Sequence, residues 1–339
     1  MNQVLSADAA MARAIECARL GLGKTFPNPI VGAVITSATG EFISEGFHQG
    51  ADHAEVIAIN AAKEIPTGSI IYITLEPCNH HGKTPPCVDA IIGSGIKKVV
   101  FAVSDPNPVA AGGTERLQKS GIEVESGIGE VQARHENRAW LTKIEKNRPR
   151  ITWKIASTMD GKVTATDGSS KWITGELARA DVALIRSQSD AIVTSTATVI
   201  ADDPLLTSKG LGKNPLRVVM GETEIIKSSQ ILGTDAETVI IKSREPKELI
   251  SLVKDRGFNQ ILIESGPTFG TALLRADLVD EIILFQAPTF LGSGTPSIGD
   301  LGITNVSDRL DFEIADVEII GADLKITLIK SAITAEGGR

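Results

Sequence analysis

Strand-like and helix-like segments alternate along nearly the whole of this 339-residue chain. Alternation of this kind is typical of an α/β layer fold, in which helices pack on a sheet. In the first half, the apolar strand patterns lie at residues 30–36, 42–48, 69–75 and 97–103. Helical patterns begin there after Ser6, near Ala54 and at Pro85-Pro86. The alternation resumes at Ile151 and ends in a predicted hairpin around Gly321-Ala322-Asp323.

A charged segment from Glu145 to Pro149 separates the two halves and lacks apolar periodicity. A chain of this length also exceeds what one hydrophobic core usually serves. We therefore predict one domain at residues 1–146, a second at residues 147–334 and a short tail at residues 335–339.

The composition narrows the class of function. The formal net charge is −8 and the chain has no run of lysines and arginines, so long nucleic acids are not expected partners. A small anionic ligand is compatible with this charge, because a few local cations can hold one phosphate. The sequence has neither a signal-peptide pattern nor a long apolar stretch, which predicts a cytoplasmic protein without membrane contact. It leaves open whether the chain forms a homo-oligomer.

Three potential metal ligands define the predicted chemistry. His53 precedes an apolar helix, Cys78 follows a strand, and Cys87 enters the next helix. One imidazole and two thiolates provide three ligands of a tetrahedral zinc site and leave the fourth position for water, as in catalytic zinc sites. Glu55 can reach that water only if the helix begins at His53, since two residues correspond to about 200° around a helix. We predict that Glu55 is the acid/base of a zinc-dependent hydrolytic deaminase.

The residues leave two alternatives open. The deaminase pattern is usually P-C-x-x-C, whereas eight residues separate Cys78 from Cys87. A cytidine-type or nucleic-acid deaminase with a degenerate second domain would use the same ligands, but the acidic charge argues against it. A zinc-stabilised module that binds a nucleotide without turning it over would not need Glu55 beside its metal.

Four motifs resemble the RibD family, the bifunctional deaminase/reductases of bacterial riboflavin biosynthesis. They are PNPIVGAVI at Pro27–Ile35, HAEV at His53–Val56, TLEPCNHHGKTPPC at Thr74–Cys87 and DPNP at Asp105–Pro108. The resemblance implies an N-terminal cytidine-deaminase-like three-layer α/β/α domain followed by a dihydrofolate-reductase-like α/β domain. It also implies two reactions. Zinc-dependent hydrolysis removes the 2-amino group of a diaminopyrimidinone ribosylamine phosphate, and NADPH then reduces the ribosyl group to ribityl.

In the deaminase half, the resemblance implies substrate contacts at Asn28, His48, His80 and Lys83. An amide can pair with a pyrimidine edge through one donor and one acceptor, and a lysine can meet a phosphate as a point charge. The chain departs from its relatives at Phe26, where histidine is common before the P-N-P run. A polar contact at that position is therefore absent or supplied elsewhere.

In the second half, a glycine-containing turn follows the predicted strand at residues 260–264 and opens a helix, an arrangement that suits phosphate. Segments at Ser169–Thr174, Arg186–Thr207 and Ile263–Gly270 resemble the reductase half of the same family. The resemblance implies cofactor contacts at Ala156, Trp172, Thr198, Asp202, Gly266, Pro267, Thr268, Phe269, Gly270, Thr271 and Ala272. It implies substrate contacts at Ser170, Arg186, Leu206, Lys209 and Glu264.

Two departures bear on the reductase. Lys209 stands where arginine is usual, which replaces a bidentate fork by one ammonium group and predicts weaker phosphate binding. Residues 218–224, VVMGETE, lack the V-x-D-S run that the family has after this strand. The alternative is therefore a deaminase whose reductase domain has impaired activity. The proton source for the reduction is open between Lys154 and a bound water.

Overall fold

The computed structural model describes residues 3–82, 84–109 and 112–330. The chain divides between Asn147 and Arg148 into two compact units, which we call unit 1 and unit 2. None of the described helices combines the length and the apolar character that crossing a membrane requires. The predicted substrate contact Lys83 and the tail at residues 335–339 lie outside the described residues.

Unit 1 is built on a sheet of five strands. The strands are β1 (Gly32–Thr36), β2 (Phe42–Phe47), β3 (Ile70–Leu75), β4 (Lys98–Val103) and β5 (Glu123–Ser126). The helices are α1 (Ala7–Arg19), α2 (Ala54–Ala61), α3 (Cys87–Ser94), α4 (Gly113–Lys119), α5 (Glu130–Glu136) and α6 (Arg138–Lys146). The strand order is β2-β1-β3-β4-β5; β3, β4 and β5 are parallel, and β1 is antiparallel to both of its neighbours.

Two glycines let helices pack directly on opposite faces of this sheet. A Cβ at Gly32 would lie 2.0 Å from the carbonyl oxygen of Ala14 in α1, and a Cβ at Gly46 would lie 2.6 Å from the carbonyl oxygen of Ala54 in α2. Gly46 pairs with Ala33, the residue after Gly32. Paired residues share a face, whereas successive residues of a strand point to opposite faces. Helices α1 and α2 therefore cover the two faces, which gives three layers.

Helix α1 begins where the sequence predicts its cap. The Ser6 hydroxyl accepts a hydrogen bond from the backbone N–H of Ala9 at 3.2 Å. The buried side of the helix is formed by Ala10, Met11, Ala14, Ile15, Cys17 and Ala18. Strand β1 is buried at every position, as expected for a strand that lies between two helical layers.

Unit 2 contains a sheet of eight strands and a ribbon of two. The strands are β6 (Arg150–Thr158), β7 (Lys162–Thr164), β8 (Ala191–Ser195), β9 (Leu216–Met220), β10 (Thr238–Ile241), β11 (Gln260–Ile263), β12 (Glu281–Ala287), β13 (Thr295–Pro296), β14 (Phe312–Ile320) and β15 (Asp323–Lys330). The helices are α7 (Glu176–Ser187), α8 (Thr196–Asp202), α9 (Pro246–Asp255) and α10 (Pro267–Arg275). The order is β10-β9-β8-β11-β6-β12-β15-β14, and the first six strands run parallel to one another. Strand β15 is antiparallel to both of its neighbours, β12 and β14. In the ribbon, β13 pairs with β7.

The parallel strands of unit 2 end along one edge of the sheet, where two helices start. Helix α8 directly follows β8, and α10 begins a few residues after β11. Helix α10 approaches the sheet closely at Gly270, where a Cβ would lie 2.0 Å from the Trp153 ring on β6. Ligands of open α/β sheets bind outside the carboxyl ends of the strands, so this edge is the expected place for a site.

Most predicted elements are present, with small shifts at their ends. The first hairpin corresponds to β1 and β2, and the closing hairpin corresponds to β14 and β15. The sequence pattern does not predict α4, α5, α6, β5, α8 or β12. Helices α4 and α5 have seven residues each, which is too short for a helical period to stand out.

We predict that Gly32→Ala destabilises unit 1, because its methyl group would enter the space of the Ala14 carbonyl. Inserting atoms into such a contact costs about 1–3 kcal/mol. The matched control is Gly93→Ala in α3, where a Cβ has no neighbour within 4 Å. Alanine is favoured over glycine in a helix by about 0.5–1 kcal/mol, so the control should be neutral or more stable. Urea unfolding followed by circular dichroism measures both, and equal midpoints would contradict the close approach of α1.

Candidate functional site

Three side chains with metal-binding atoms meet in unit 1. His53 is the N-cap residue of α2, Cys87 is the first residue of α3, and Cys78 lies in the loop after β3. His53 Nδ1 lies 3.0 Å from Cys87 Sγ and 3.6 Å from Cys78 Sγ, and the three ligand atoms lie within 4.8 Å of one another. The backbone N–H of Cys87 also donates to Cys78 Sγ at 3.5 Å. The ends of a strand and two helices thus create one compact donor set.

The chemistry of this donor set fits zinc. One imidazole nitrogen and two sulfurs are ligands that zinc prefers. The hydrogen bond between the two thiols lowers the pKa of Cys78 against the effect of burial, and the same bond together with burial raises the pKa of Cys87. Two adjacent sulfurs, one buried at Cys87 and one partly buried at Cys78, cannot both carry a negative charge without a cation, and a divalent metal supplies that charge. The residues present can therefore hold a zinc ion through His53, Cys78 and Cys87.

Glu55 is a buried carboxylate beside these ligands. It is the second residue of α2 and is only 3% exposed. Its Oε2 atom is buried and has no hydrogen-bond partner within the described chain. Burial raises the pKa of this carboxyl group, and a backbone hydrogen bond and the charge of His53 oppose the shift. A buried oxygen without a partner is costly, so its position next to the metal ligands points to a group that is bound there.

Two predicted substrate contacts, Asn28 and His48, lie near the metal ligands. Asn28 Nδ2 lies 3.4 Å from His48 Nε2, and the ring centroids of His48 and His53 are 5.2 Å apart. Burial, together with the nearby His53, lowers the pKa of His48, so its ring is neutral at pH 7. A neutral ring that accepts at Nε2 fixes the orientation of the Asn28 amide.

The loop between the cysteines is held by residues that the motifs do not single out as functional. Glu76 accepts hydrogen bonds from the backbone N–H and the hydroxyl of Thr114 at 3.2 and 2.6 Å. Arg116 donates to Asn79 Oδ1 at 3.0 Å. Glu76 lies two positions before Cys78, and this adjacency is the sequence signal that could have identified it. These contacts tie the loop to α4.

His80 follows Asn79 in this loop. Its Nδ1 atom is buried and has no hydrogen-bond partner among the residues that the structure describes. Burial raises the pKa of the nearby Asp105 carboxyl, and His80 lies close enough to oppose that shift. The structure therefore places His80 in a position where a ligand can satisfy its ring.

Unit 2 contains a cavity of about 1080 Å³ along the carboxyl edge of its sheet. Most of the residues that the sequence predicts as substrate or cofactor contacts line it: Ala156, Ser170, Trp172, Arg186, Thr198, Asp202, Leu206, Lys209, Glu264, Gly266, Pro267, Thr268, Phe269 and Ala272. Two predicted cofactor contacts, Gly270 and Thr271, do not line it. Gly270 packs against Trp153, and Thr271 Oγ1 accepts from the Gly299 backbone at 2.8 Å.

A buried carboxylate, Glu264, joins two cations in this cavity. Arg186 donates from Nε to Glu264 Oε1 at 2.5 Å and from Nη2 to Oε2 at 2.9 Å, and Lys154 Nζ lies 3.2 Å from Oε2. Burial would raise the pKa of Glu264, but the charges of Arg186 and Lys154 outweigh it and hold the pKa at about 2. The glutamate is therefore charged at neutral pH and fixes both cations at the cavity wall.

Several residues that line the cavity have a left-handed backbone, which side chains other than glycine rarely adopt. They are Trp172 with φ 70°, Leu206 with φ 50° and Lys209 with φ 52°. The Arg179 guanidinium lies over the Trp172 ring, 4.2 Å from its centroid. Strained backbone of this kind is concentrated at ligand sites, so its position at this cavity supports a binding role.

The ends of β9 and β10 also contribute to the cavity, through Met220, Gly221, Thr223 and Arg244. The motifs do not identify them, because this segment departs from the family pattern. Gly221 has φ 139°, and a Cβ there would lie 2.3 Å from Thr196 Oγ1. A glycine directly after a strand is the signal that could have identified this part of the cavity.

Models of two protein families match the chain. The cytidine and deoxycytidylate deaminase zinc-binding region matches residues 5–103, and the RibD C-terminal domain matches residues 149–326. The riboflavin biosynthesis protein RibD of Mycobacterium tuberculosis is 41% identical over 337 residues, which cover 97% of this chain and 99% of that protein. The RibD protein of Escherichia coli is 37% identical, with coverage of 94% of this chain and 98% of its own length.

Two solved structures resemble the whole chain. One is a diaminohydroxyphosphoribosylaminopyrimidine deaminase/5-amino-6-(5-phosphoribosylamino)uracil reductase from Thermotoga maritima, with a TM-score of 0.88 and 33% identity. The other is RibD from Acinetobacter baumannii, with a TM-score of 0.87 and 36% identity. Each comparison covers 96% of this chain and 99% of the other.

We predict that Glu264→Gln destabilises unit 2 by about 3 kcal/mol at pH 7, because two partly buried cations lose their buried carboxylate partner. The pKa of Glu264 is about 2 in the folded chain, compared with an ordinary value of 4.5. The contribution of the Glu264 charge to the free energy of unfolding is therefore complete above pH 4.5 and declines as the pH falls towards 2. Urea unfolding at pH 7 and pH 3 tests this, and the destabilisation at pH 3 should be roughly half or less.

The control for this prediction is Glu313→Gln, which changes an exposed carboxylate on β14. Its effect on the free energy of unfolding should be small at both pH values. If Glu264→Gln lowers the free energy of unfolding by the same amount at both pH values, the charged state of Glu264 is contradicted.

Proposed function

The chain belongs to the RibD family of bifunctional deaminase/reductases of riboflavin biosynthesis, and on that premise we propose how its two units divide the two reactions. Unit 1 removes the amino group from a phosphorylated diaminopyrimidinone. Unit 2 then reduces the sugar of the product with NADPH. The observation that carries the proposal is the buried Oε2 of Glu55, which has no hydrogen-bond partner among the described residues and lies beside His53, Cys78 and Cys87.

His53, Cys78 and Cys87 are the zinc ligands of this proposal. When bound, zinc lowers the pKa of water to about 7 and so provides a nucleophile at neutral pH. Glu55 takes one proton from the attacking water and gives it to the ring nitrogen, and it then carries the second proton, from the hydroxyl formed at the reacting carbon, to the amine that leaves as ammonia. The position of Glu55 at the start of α2 lets its carboxylate face the reacting carbon without serving as a metal ligand.

Asn28, His48, His80 and Lys83 bind the substrate in unit 1. The Asn28 amide pairs with the pyrimidine edge, and the hydrogen bond to His48 holds it in one orientation. The buried Nδ1 of His80 has no hydrogen-bond partner in the described part of the chain, which supports a ligand contact from the loop between the cysteines. The assignment of Lys83 to the phosphate rests on the family motif alone.

In unit 2, the first turn of α10 binds the pyrophosphate of NADPH. The N–H groups of a first helical turn have no partners within the helix and attract phosphate. A Cβ at Gly266 would have no neighbour within 4 Å, so the backbone is open to a ligand there. The cofactor contacts assigned here are Ala156, Trp172, Thr198, Asp202, Gly266, Pro267, Thr268, Phe269 and Ala272. Gly270 supports this turn through Trp153, and Thr271 supports it through Gly299.

The sugar phosphate of the substrate lies against Ser170, Arg186, Leu206, Lys209 and Glu264. The nicotinamide supplies a hydride to the sugar carbon. Lys154 is the proton donor that we favour over water, because it lines the cavity with its Nζ atom fixed by Glu264 at 3.2 Å. A deaminase with an impaired reductase is the second candidate, favoured by the single ammonium of Lys209 and the altered segment after β9.

The cytoplasm is the location that suits these sites. Zinc-binding thiols have to stay reduced, and reducing conditions keep cysteines such as Cys78 and Cys87 free. The substrate is a small phosphorylated pyrimidine, which agrees with a net charge of −8 that disfavours nucleic acids.

We predict that Glu55→Gln keeps its zinc and loses deamination, since the amide cannot accept a proton while the three ligands are intact. Ammonia release should fall by about 10²–10⁴-fold. Elemental analysis measures the zinc, and a coupled assay measures ammonia released from the diaminopyrimidinone phosphate. The matched control is Glu64→Gln, an exposed carboxylate that should leave both unchanged. Loss of zinc from Glu55→Gln, or ammonia release near that of the unmodified chain, would exclude the assigned role.

We also predict that Trp172→Ala weakens NADPH binding by about 2- to 10-fold and leaves ammonia release unchanged, because it removes an aromatic contact from unit 2 alone. Fluorescence titration with NADPH gives the Kd. Phe290→Ala is the control, since Phe290 and Trp172 are both 73% exposed but Phe290 does not line the cavity. A folded Trp172→Ala variant that loses both activities would refute the division of the reactions between the units.

A further inference from the structure

Arg244 is a cation of the cavity that the two reactions leave without a role. It follows β10 and lines the cavity, and its Nε atom lies 3.7 Å from Oε2 of Glu222 in the turn after β9. The side chains of Arg244 and Glu222 are 71% and 68% exposed. Such an exposed ion pair adds little stability, and a phosphate can replace the carboxylate as a stronger, bidentate partner. Arg244 is therefore available to an anionic ligand in the cavity.

The strand order places Arg244 at one end of a row of ligand-facing segments. The strands β6, β11, β8, β9 and β10 are successive neighbours, and residues in each strand or within three positions after its end line the cavity. Neighbouring strands are about 4.8 Å apart, so the row is about 19 Å long. A dinucleotide can follow a row of this length, whereas a single nucleotide would occupy only part of it.

Two features orient a dinucleotide along this row. Helix α10 begins after β11, inside this row, and its first turn suits the pyrophosphate. The ion cluster of Lys154, Arg186 and Glu264 lies on the side of β6 and β11, where the substrate is reduced. The nicotinamide has to reach that side for hydride transfer. The adenosine half then extends in the other direction, towards β9 and β10.

This placement rests on the proposed function, and we propose that Arg244 binds the 2′-phosphate of NADPH while Glu222 competes for the guanidinium. In dinucleotide-binding α/β folds, an arginine accommodates the 2′-phosphate of NADP and an acidic side chain accepts a hydrogen bond from the 2′-hydroxyl of NAD. In this chain an arginine and an acidic side chain, Arg244 and Glu222, lie beside each other. The Arg244–Glu222 pair thus sets the preference between the two cofactors.

The test uses Arg244→Ala and Glu222→Gln in the full chain, with Kd values for NADPH, NADH and 2′,5′-ADP from isothermal titration calorimetry. Arg244→Ala should weaken the binding of NADPH and of 2′,5′-ADP by about 10- to 100-fold. The Kd for NADH should change by less than about two-fold. Glu222→Gln should bind NADPH and 2′,5′-ADP more tightly, because the competing carboxylate is gone. Arg256→Ala is the matched control: Arg256 forms a similar exposed pair with Glu237 but does not line the cavity.

The outcomes separate this inference from the proposed function. If the unmodified chain binds NADPH, and Arg244→Ala weakens NADPH and NADH equally or changes neither, the role of Arg244 is refuted while the reductase assignment stands. If the unmodified chain binds neither dinucleotide, the proposed cofactor is refuted, and this inference with it. A larger effect of salt on NADPH than on NADH, lost in Arg244→Ala, would independently support the contact with the phosphate.

Discussion

The proposed chemistry of both units depends on the N–H groups and the positive dipole end at the first turn of a helix. His53 caps α2, Cys87 begins α3, and Gly266 caps α10. The first N–H groups of a helix have no partners within the helix, and the helix dipole favours negative charge there. This field favours thiolates in unit 1 and, in the proposed function, cofactor phosphates in unit 2. Each sheet contributes mainly by bringing several helix starts to one edge.

The close helix packing determines how well those starts are positioned. Helix α2 lies directly on Gly46, where even a methyl group would meet the Ala54 carbonyl, so the helix cannot move towards the sheet. His53 and Glu55 lie at the end of the helix that this contact fixes. In unit 2, Gly270 lets α10 pack on Trp153 in the same way and fixes the turn at Gly266. These glycines therefore support the sites without contacting a ligand.

The sequence predicts the parts of the sites that depend on neighbouring residues, and it misses the parts that depend on the fold. His53 and Glu55 are two positions apart, and the start of α2 follows from the local pattern. The contact of Arg186 with Glu264 joins residues 78 positions apart, so only the order of β6, β11 and β8 reveals it. The sequence does not identify Arg244 as a cavity residue for the same reason, because the patterns of single strands do not show that β10 lies beside β9. Short elements such as α4 carry too little periodicity to be recognised.

The two buried carboxylates, Glu55 and Glu264, differ in a way that matches the different roles proposed for them. Glu55 has an oxygen without a partner in the described chain, and burial raises its pKa. Glu264 is equally enclosed, but Arg186 and Lys154 lower its pKa to about 2. A carboxylate held by two cations cannot exchange a proton near neutral pH, so Glu264 can only position its partners. A carboxylate without such cations can take up and release one, which is the property that a proton-transferring residue needs.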